Sequence, residues 1–528
     1  MRKTILFLLT FLAVTAVTAK RMPAMYYVQF KDKQGCGYTT DNPLPYLSQR
    51  AIDRRLRWNI PVDSTDLPLT QLYVDSLASL GAEVYHKSRW MNGVLVYATN
   101  TQIGVIVNLG FVKDVEQVRP AASQNMPMKP RKLTRKPKMP KVLDNDQNHQ
   151  VGADSLHAAG FRGRGVQIAI IDAGFPLVDQ LPGFDSLRSR GGILGTYNIA
   201  SKSTNVFCDH SHGTTCLSTM AFNLPDEFVG TAPDADYWLL RTEVGEEEYL
   251  YETDLWIVAA EMADSAGADI ISSSLGYFYT DDDDPQFIYQ NMNGQHFRSS
   301  RAATMAAEKG IIVCVAAGNE GSSDWHYIDT PADADSVLCV GGVDISGNHS
   351  TFSSYGPTAD NRIKPEVCAL ATNATIAMLN PEYGNITYGS GTSYATPIAA
   401  GTIASLMSAF PDVNPAVIRK VVAETASQND NPDNTLGYGI LNAWQAYKLL
   451  MGYPSCVQDG VTDETEKRMT YVINGILYID GYVGNYLMYS PSGCVIGSGN
   501  TNGCIDITPY PSGMYLLKCG DDVIKVLK

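Results

Sequence analysis

The chain is 528 residues long, 45% hydrophobic and 18% charged, with a formal net charge of −15. That length exceeds one ordinary domain, and the composition excludes a wholly disordered chain. The charge is unevenly split, with 21 Lys and Arg against 9 Asp and Glu over residues 1–141, and 19 against 46 over the remainder. So acidic a remainder argues against nucleic acid or anionic membrane as a partner.

In chain order, Arg2 and Lys3 precede an apolar run from Ile5 to Val17, and Val17-Thr18-Ala19 closes it with small residues. Residues 1–19 therefore read as an export signal, with a retained anchor as the alternative. Once it is removed, no stretch is long enough to span a membrane. Residues 20–125 read as a small α+β unit. Tyr26–Phe30 and Gly93–Ala98 are strand-like, and Leu69–Leu80 spaces its apolar residues as a helix does. Residues 126–147 form a linker. Within it, Lys129–Lys141 holds seven basic and no acidic residues, with prolines at 130, 137 and 140. Such a stretch buries no core and predicts an exposed, cleavable connection.

Over 148–452, apolar runs alternate with helical patterns. Val166–Ile171, Tyr237–Leu240, Asp269–Ser274, Ile311–Ala316 and Val337–Val340 predict strands, and about 212–222, 253–266, 299–309 and 394–409 predict helices. This alternation predicts an α/β domain with a doubly wound, mostly parallel sheet. A linker over 453–466 leads to residues 467–528, whose Gly-, Tyr- and Ser-rich composition and short alternating runs predict a small all-β domain. Among ten cysteines, Cys314 and Cys339 lie in apolar runs as buried thiols. Export permits disulfides: Cys208 could bridge Cys216 across His212, and Cys456, Cys494, Cys504 and Cys519 could form one or two more.

Three segments place chemistry where strands of such a sheet end. Ile168–Ile171 runs into Asp172, Ser211-His212-Gly213 opens a helix with an imidazole, and Gly389–Thr392 delivers the Ser393 hydroxyl to a helix start. Singly, each reads as a cap or a turn. Together they supply what acyl transfer needs: a hydroxyl, a base near neutral pH, and a carboxylate that fixes the imidazole tautomer. The Ser393 backbone N–H and the Asn319 side-chain amide supply donors for a developing oxyanion.

Four ordered segments resemble the subtilisin-like serine peptidases: Ile170–Gly174, His212-Gly213-Thr214, Ala317–Gly321 and Gly391–Pro397, with Tyr394 where Met is commonest. The resemblance implies a secreted serine endopeptidase, made as a zymogen, with Asp172, His212 and Ser393 as its triad. It places Asn319 and the Ser393 amide in the oxyanion hole. It further implies that Ser274, Leu275 and Gly276 pair with an extended substrate and that Ala316, Ala317 and Gly318 line the specificity pocket, with Glu320 either at its rim, where it would favour Lys or Arg, or facing solvent with no effect on preference. Phe352–Pro357 resembles a structural landmark of the family. The His212 segment departs from the family at Thr215-Cys216-Leu217, where a second His is usual. No cofactor is required for the chemistry, and structural calcium is compatible, with Asp281–Asp284 reading either as a calcium loop or as a solvated acidic loop.

The N-terminal unit resembles the family's propeptide, which would make it a chaperone and inhibitor cut off within 120–147. Residues 511–517 and the terminal Lys525 and Lys528 resemble type IX secretion sorting domains, implying secretion machinery of a bacterium with an outer membrane. A carbohydrate- or protein-binding β module is the alternative there. Polypeptides are the expected substrates. The rival to an enzyme is a catalytically silent surface adhesin on the same fold. A lipase or esterase is disfavoured because Ser393 lacks a Gly-x-Ser-x-Gly elbow.

Overall fold

The computed structural model describes residues 23–121, 146–245 and 247–452. In the C-terminal region it describes residues 470–473, 476–479, 483–490, 495–501, 504–510, 514–520 and 522–527. The expected signal peptide, most of the basic linker, Cys456 and Cys494 lie outside the described residues.

The N-terminal unit is an antiparallel sheet of β1 (Ala24–Phe30), β2 (Glu83–Ser88), β3 (Gly93–Ala98) and β4 (Val112–Arg119), ordered β2-β3-β1-β4. Its helices include α1 (Gln49–Arg57) and α2 (Gln71–Ser79). The two-residue period of β1 sorts its side chains to opposite faces. Tyr26, Val28 and Phe30 pack into the unit's own core, whereas Met25 and Tyr27 join Trp90, Leu95 and Val118 in a cluster shared with the next domain.

That domain is built on a parallel seven-stranded sheet. The strands are β5 (Gln167–Asp172), β6 (Ile193–Asn198), β7 (Asp236–Arg241), β8 (Ile270–Ser273), β9 (Ile312–Ala316), β10 (Leu338–Val343) and β11 (Val367–Leu370). Their order is β11-β10-β9-β8-β5-β7-β6. β5 is apolar because both its faces are covered. Ile168 and Ile170 face one side with α3 (His212–Ala221) and α6 (Thr392–Ala409), and Ala169 and Ile171 face the other with α4 (Tyr251–Ala266) and α5 (Arg298–Glu308). The predicted α/β class and its five predicted strands are present. Two further strands, β6 and β11, complete the edges.

The N-terminal sheet lies on α4 and α5 through charge as well as apolar area. Asp264, fully buried, meets Arg54 at 2.5 Å, Arg55 at 3.0 Å and Arg89 at 3.2 Å. Burial alone would raise its pKa, but the three guanidiniums outweigh that and lower it. Glu261 accepts the backbone N–H groups of Arg89 (3.0 Å) and Trp90 (3.1 Å) and the Ser88 hydroxyl (2.6 Å).

The expected linker ends earlier than the composition suggested. A helix opens at Asp146, and Gln147 is buried against Thr375, whose N–H it accepts at 2.8 Å. The C-terminal described segments form two antiparallel sheets around a small core that includes Leu477, Met488, Ile505, Leu517 and Val526. No helix among the described residues is long and apolar enough to cross a membrane.

Candidate active site

Asp172 is the last residue of β5 and is fully buried. Its Oδ1 accepts the Ala173 N–H at 2.7 Å and lies 2.7 Å from His212 Nδ1. Its Oδ2 has no hydrogen-bond partner among the described residues. A carboxylate at Nδ1 fixes the tautomer that leaves Nε2 as acceptor. His212 opens α3, its side chain 24% exposed. Burial would lower the imidazole pKa, yet the Asp172 charge carries it well above the ordinary 6.5. Cys216, one turn further along α3, has Sγ 3.7 Å from His212 Nδ1. Burial pushes that thiol above its ordinary value, so it is an uncharged neighbour at neutral pH.

The expected Cys208–Cys216 bridge is not formed, and both are free thiols. Cys216 Sγ turns inward and donates to Ser393 O at 3.3 Å, while Cys208, on the loop before α3, donates to Asp209 Oδ2 at 3.1 Å.

Ser393 occupies the first turn of α6, 8% exposed. The turn before it needs glycine, because Gly391 has φ +151°. Pro397 lies four residues on and has no N–H, so the Ser393 carbonyl lacks its helical donor. That carbonyl accepts instead from Ser274 Oγ (2.7 Å) and Cys216 Sγ (3.3 Å), joining the end of β8 and α3 to the serine. The Ser393 hydroxyl donates to Ser274 O at 3.4 Å and makes no hydrogen bond to His212 among the described residues. Such bonds often tighten only when substrate is bound.

Asn319 leaves the end of β9 with its Oδ1 held by the Thr392 N–H (2.9 Å) and hydroxyl (3.2 Å). With the oxygen anchored, Nδ2 is the atom left to donate, beside the N-terminus of α6 and the Ser393 amide. Glu320 N donates to Ser354 Oγ at 3.0 Å, so the Phe352–Pro357 segment braces the Asn319 turn.

Ser274, Leu275 and Gly276 continue β8, and Ala317 and Gly318 continue β9 beyond Ala316, so the expected substrate-binding residues lie on neighbouring strand ends.

Potential metal-ligating side chains converge in two groups among the described residues, Asp172 with His212 and Cys216, and Glu243 with Glu248 and Glu252; Asp281–Asp284 is in neither. Asp281 Oδ2 instead accepts the Glu248 N–H, and Asp284 Oδ1 that of Gln286. Composition did not single out the glutamate group. Burial and mutual repulsion raise both Glu243 and Glu252 above the usual carboxylate range.

In this doubly wound α/β domain the Asp–His pair and the helix-start serine lie on either side of Cys216. The Subtilase family profile matches residues 163–439, a little over half of the chain, and the chain belongs to that family of serine peptidases. Residues 25–134 match the peptidase S8 propeptide domain of Bacteroidota. The chain is similar to serine protease AprX of Bacillus subtilis (strain 168), 29% identical over 315 residues, covering 53% of this chain and 66% of AprX. It is likewise similar to subtilisin NAT of Bacillus subtilis subsp. natto, 30% identical over 305 residues, covering 56% and 69%. With Arabidopsis thaliana subtilisin-like protease SBT6.1 it shares 26% identity over 315 residues, covering 57% and 28%. The chain thus spans about two thirds of the bacterial relatives and far less of the plant one.

Proposed function

We propose that the chain is a secreted serine endopeptidase made as a zymogen. The observation that carries this reading is the 2.7 Å His212–Asp172 contact beside a serine held at the start of α6. Ser393 Oγ attacks the scissile carbonyl as His212 Nε2 takes its proton, with Asp172 stabilising the imidazolium. The oxyanion forms between the Ser393 amide and Asn319 Nδ2. His212 returns the proton to the leaving amine as the C–N bond breaks, and water, activated by the same imidazole, releases the acyl group. The steps use side chains and backbone amides alone; bound calcium would be structural.

The N-terminal unit acts as inhibitor and folding aid in this reading. Its last strand ends at Arg119, paired with Glu247 at 2.8 Å, and Glu248 next to it belongs to the group of Glu243, Glu248 and Glu252. The chain therefore leaves the unit at Glu247, and a cut before Asp146 preserves the buried Gln147. The signal-like residues 1–19 and the C-terminal β unit support export, the latter through type IX machinery.

The test is casein hydrolysis by wild type and Ser393→Ala, with fluorophosphonate labelling of both. Wild type should hydrolyse and label, and the variant should lose about 10⁶-fold in kcat and not label. Activity surviving in Ser393→Ala sinks the assignment. A wild type that neither labels nor hydrolyses is the adhesin instead.

A further inference from the structure

One buried acid near the cleft has no role in the chemistry above. β8 and β9 are parallel neighbours, Ser273 opposite Val315, and the segments leaving them diverge around Asp329. The backbone there is tied to both: Asp329 N donates to Ala317 O at 3.3 Å, and Tyr277 N to Thr330 O at 2.9 Å. The carboxylate lies in the wedge between. A Cβ on Gly318 would lie 2.4 Å from Asp329 Oδ2, and one on Gly276 2.8 Å. Glycine at both positions makes room for an acid.

Asp329 is only 3% exposed, and its Oδ1 has no hydrogen-bond partner among the described residues. Burial raises its pKa well above the ordinary value, and the charges that act on it, Glu320 and Asp333, raise it further; no Lys or Arg offsets them. The Trp325 indole N–H, which meets no hydrogen-bond geometry among the described residues, points its donor toward the carboxyl weakly enough that it only partly offsets this rise. A buried carboxylate with no cation is costly, and the described residues supply none. Phe278 packs 5.7 Å from Trp325, giving the surroundings an aromatic side suited to the apolar stem of a long cationic residue.

We infer that Asp329 forms the floor of the pocket that receives the substrate residue on the N-terminal side of the cleaved bond, and that it selects Lys or Arg there. The inference rests on the peptidase reading and adds its specificity. A cationic side chain reaching between Gly276 and Gly318 gives Asp329 the counter-charge it lacks; an apolar one leaves it buried and unpaired.

The experiment uses enzyme matured from the full chain and peptide substrates that differ only in that residue: Lys, Arg, Leu or Gln. Wild type, Asp329→Asn and Asp329→Glu are compared, with Ser393→Ala as blank. Wild type should favour Lys and Arg over Leu by about 100-fold in kcat/KM. Asp329→Asn should lose about 100-fold on Lys and Arg and stay within about threefold on Leu. Acidification through the carboxyl ionisation should depress the Lys and Arg substrates relative to Leu in wild type and Asp329→Glu, and not in Asp329→Asn. A wild type that prefers Leu, or a Lys-to-Leu ratio unchanged in Asp329→Asn, overturns the inference while leaving the peptidase standing. Should Asp329→Asn not fold, wild-type cuts in denatured casein decide: cuts after Lys and Arg support it, and scattered cuts overturn it. If wild type is as inactive as the blank, the peptidase reading falls and takes this inference with it.

Discussion

Asp264, under the N-terminal unit, and Asp329, at the cleft, are both buried aspartates in the same domain with opposite surroundings. Asp264 has three arginines within 3.2 Å and a lowered pKa, whereas the charges that act on Asp329 are acidic and its pKa is raised. Burial alone therefore does not say what a carboxylate is for; its partners do. Where the fold supplies the cations, the acid holds two units together, and where it supplies none, the acid is left for something that arrives later. Asp172 stands between them, with a single imidazole as its side-chain partner and one oxygen without a hydrogen bond among the described residues.

The largest effect should come from that intermediate case. Asp172→Asn keeps the shape but loses the charge that orients and supports His212, and kcat should fall about 10⁴-fold with the fold intact. Stopped assays beside circular dichroism check this, and a loss under tenfold would put Asp172 with the merely structural acids.

Next comes Asp264→Asn in the uncut Ser393→Ala chain. It leaves the buried Arg54 without its carboxylate, while Arg55 keeps Asp66 and Arg89 keeps Glu261, and should cost about 3–5 kcal/mol in denaturant unfolding. Asp329→Asn should cost no more than about 1 kcal/mol, or stabilise, because it removes an uncompensated charge. Equal losses in the two variants would erase the contrast.

The smallest effect is in pH dependence, where the signs oppose. Asp264 has a folded pKa below its ordinary 3.8, so its contribution is present above that value and lost as pH falls through the folded one. Asp329 has a raised folded pKa, so its contribution is full below 3.8 and lost as pH rises through the folded value. Thermal unfolding against pH should therefore show the acid-side loss flattened by Asp264→Asn, and the loss at rising pH flattened by Asp329→Asn.

Much of the central fold is legible in sequence because its inner strands are unbroken apolar runs. Ile312–Ala316 and Ile168–Ile171 can hardly be anything else once helices flank them. The edges are not legible: β6 reads Ile-Leu-Gly-Thr-Tyr-Asn and β11 is four residues long, too polar or too short for a period to register. The Asp172, His212, Asn319 and Ser393 segments stand out because each is a glycine-marked turn at an element end. Asp329 does not, since its meaning depends on glycines in two other segments. Asp264 reads as an ordinary helix-surface acid, its partners lying about two hundred residues earlier in the chain. Cys216 misled because spacing across His212 suggested a bridge, whereas one helical turn carries its sulfur beneath the ring.

Pro397 gives the cleft a kind of mechanical coupling. A helix usually spends each carbonyl on itself, so its first turn is insulated from neighbouring elements. By withholding one donor, Pro397 frees the Ser393 carbonyl to act as a hub for a hydroxyl from β8 and a thiol from α3. The peptide carrying the Ser393 hydroxyl is thus referenced to the end of β8 and to the helix that carries the His212 imidazole. A disturbance at Ser274 or Cys216 reaches Ser393 through one bond rather than through the packing of the domain.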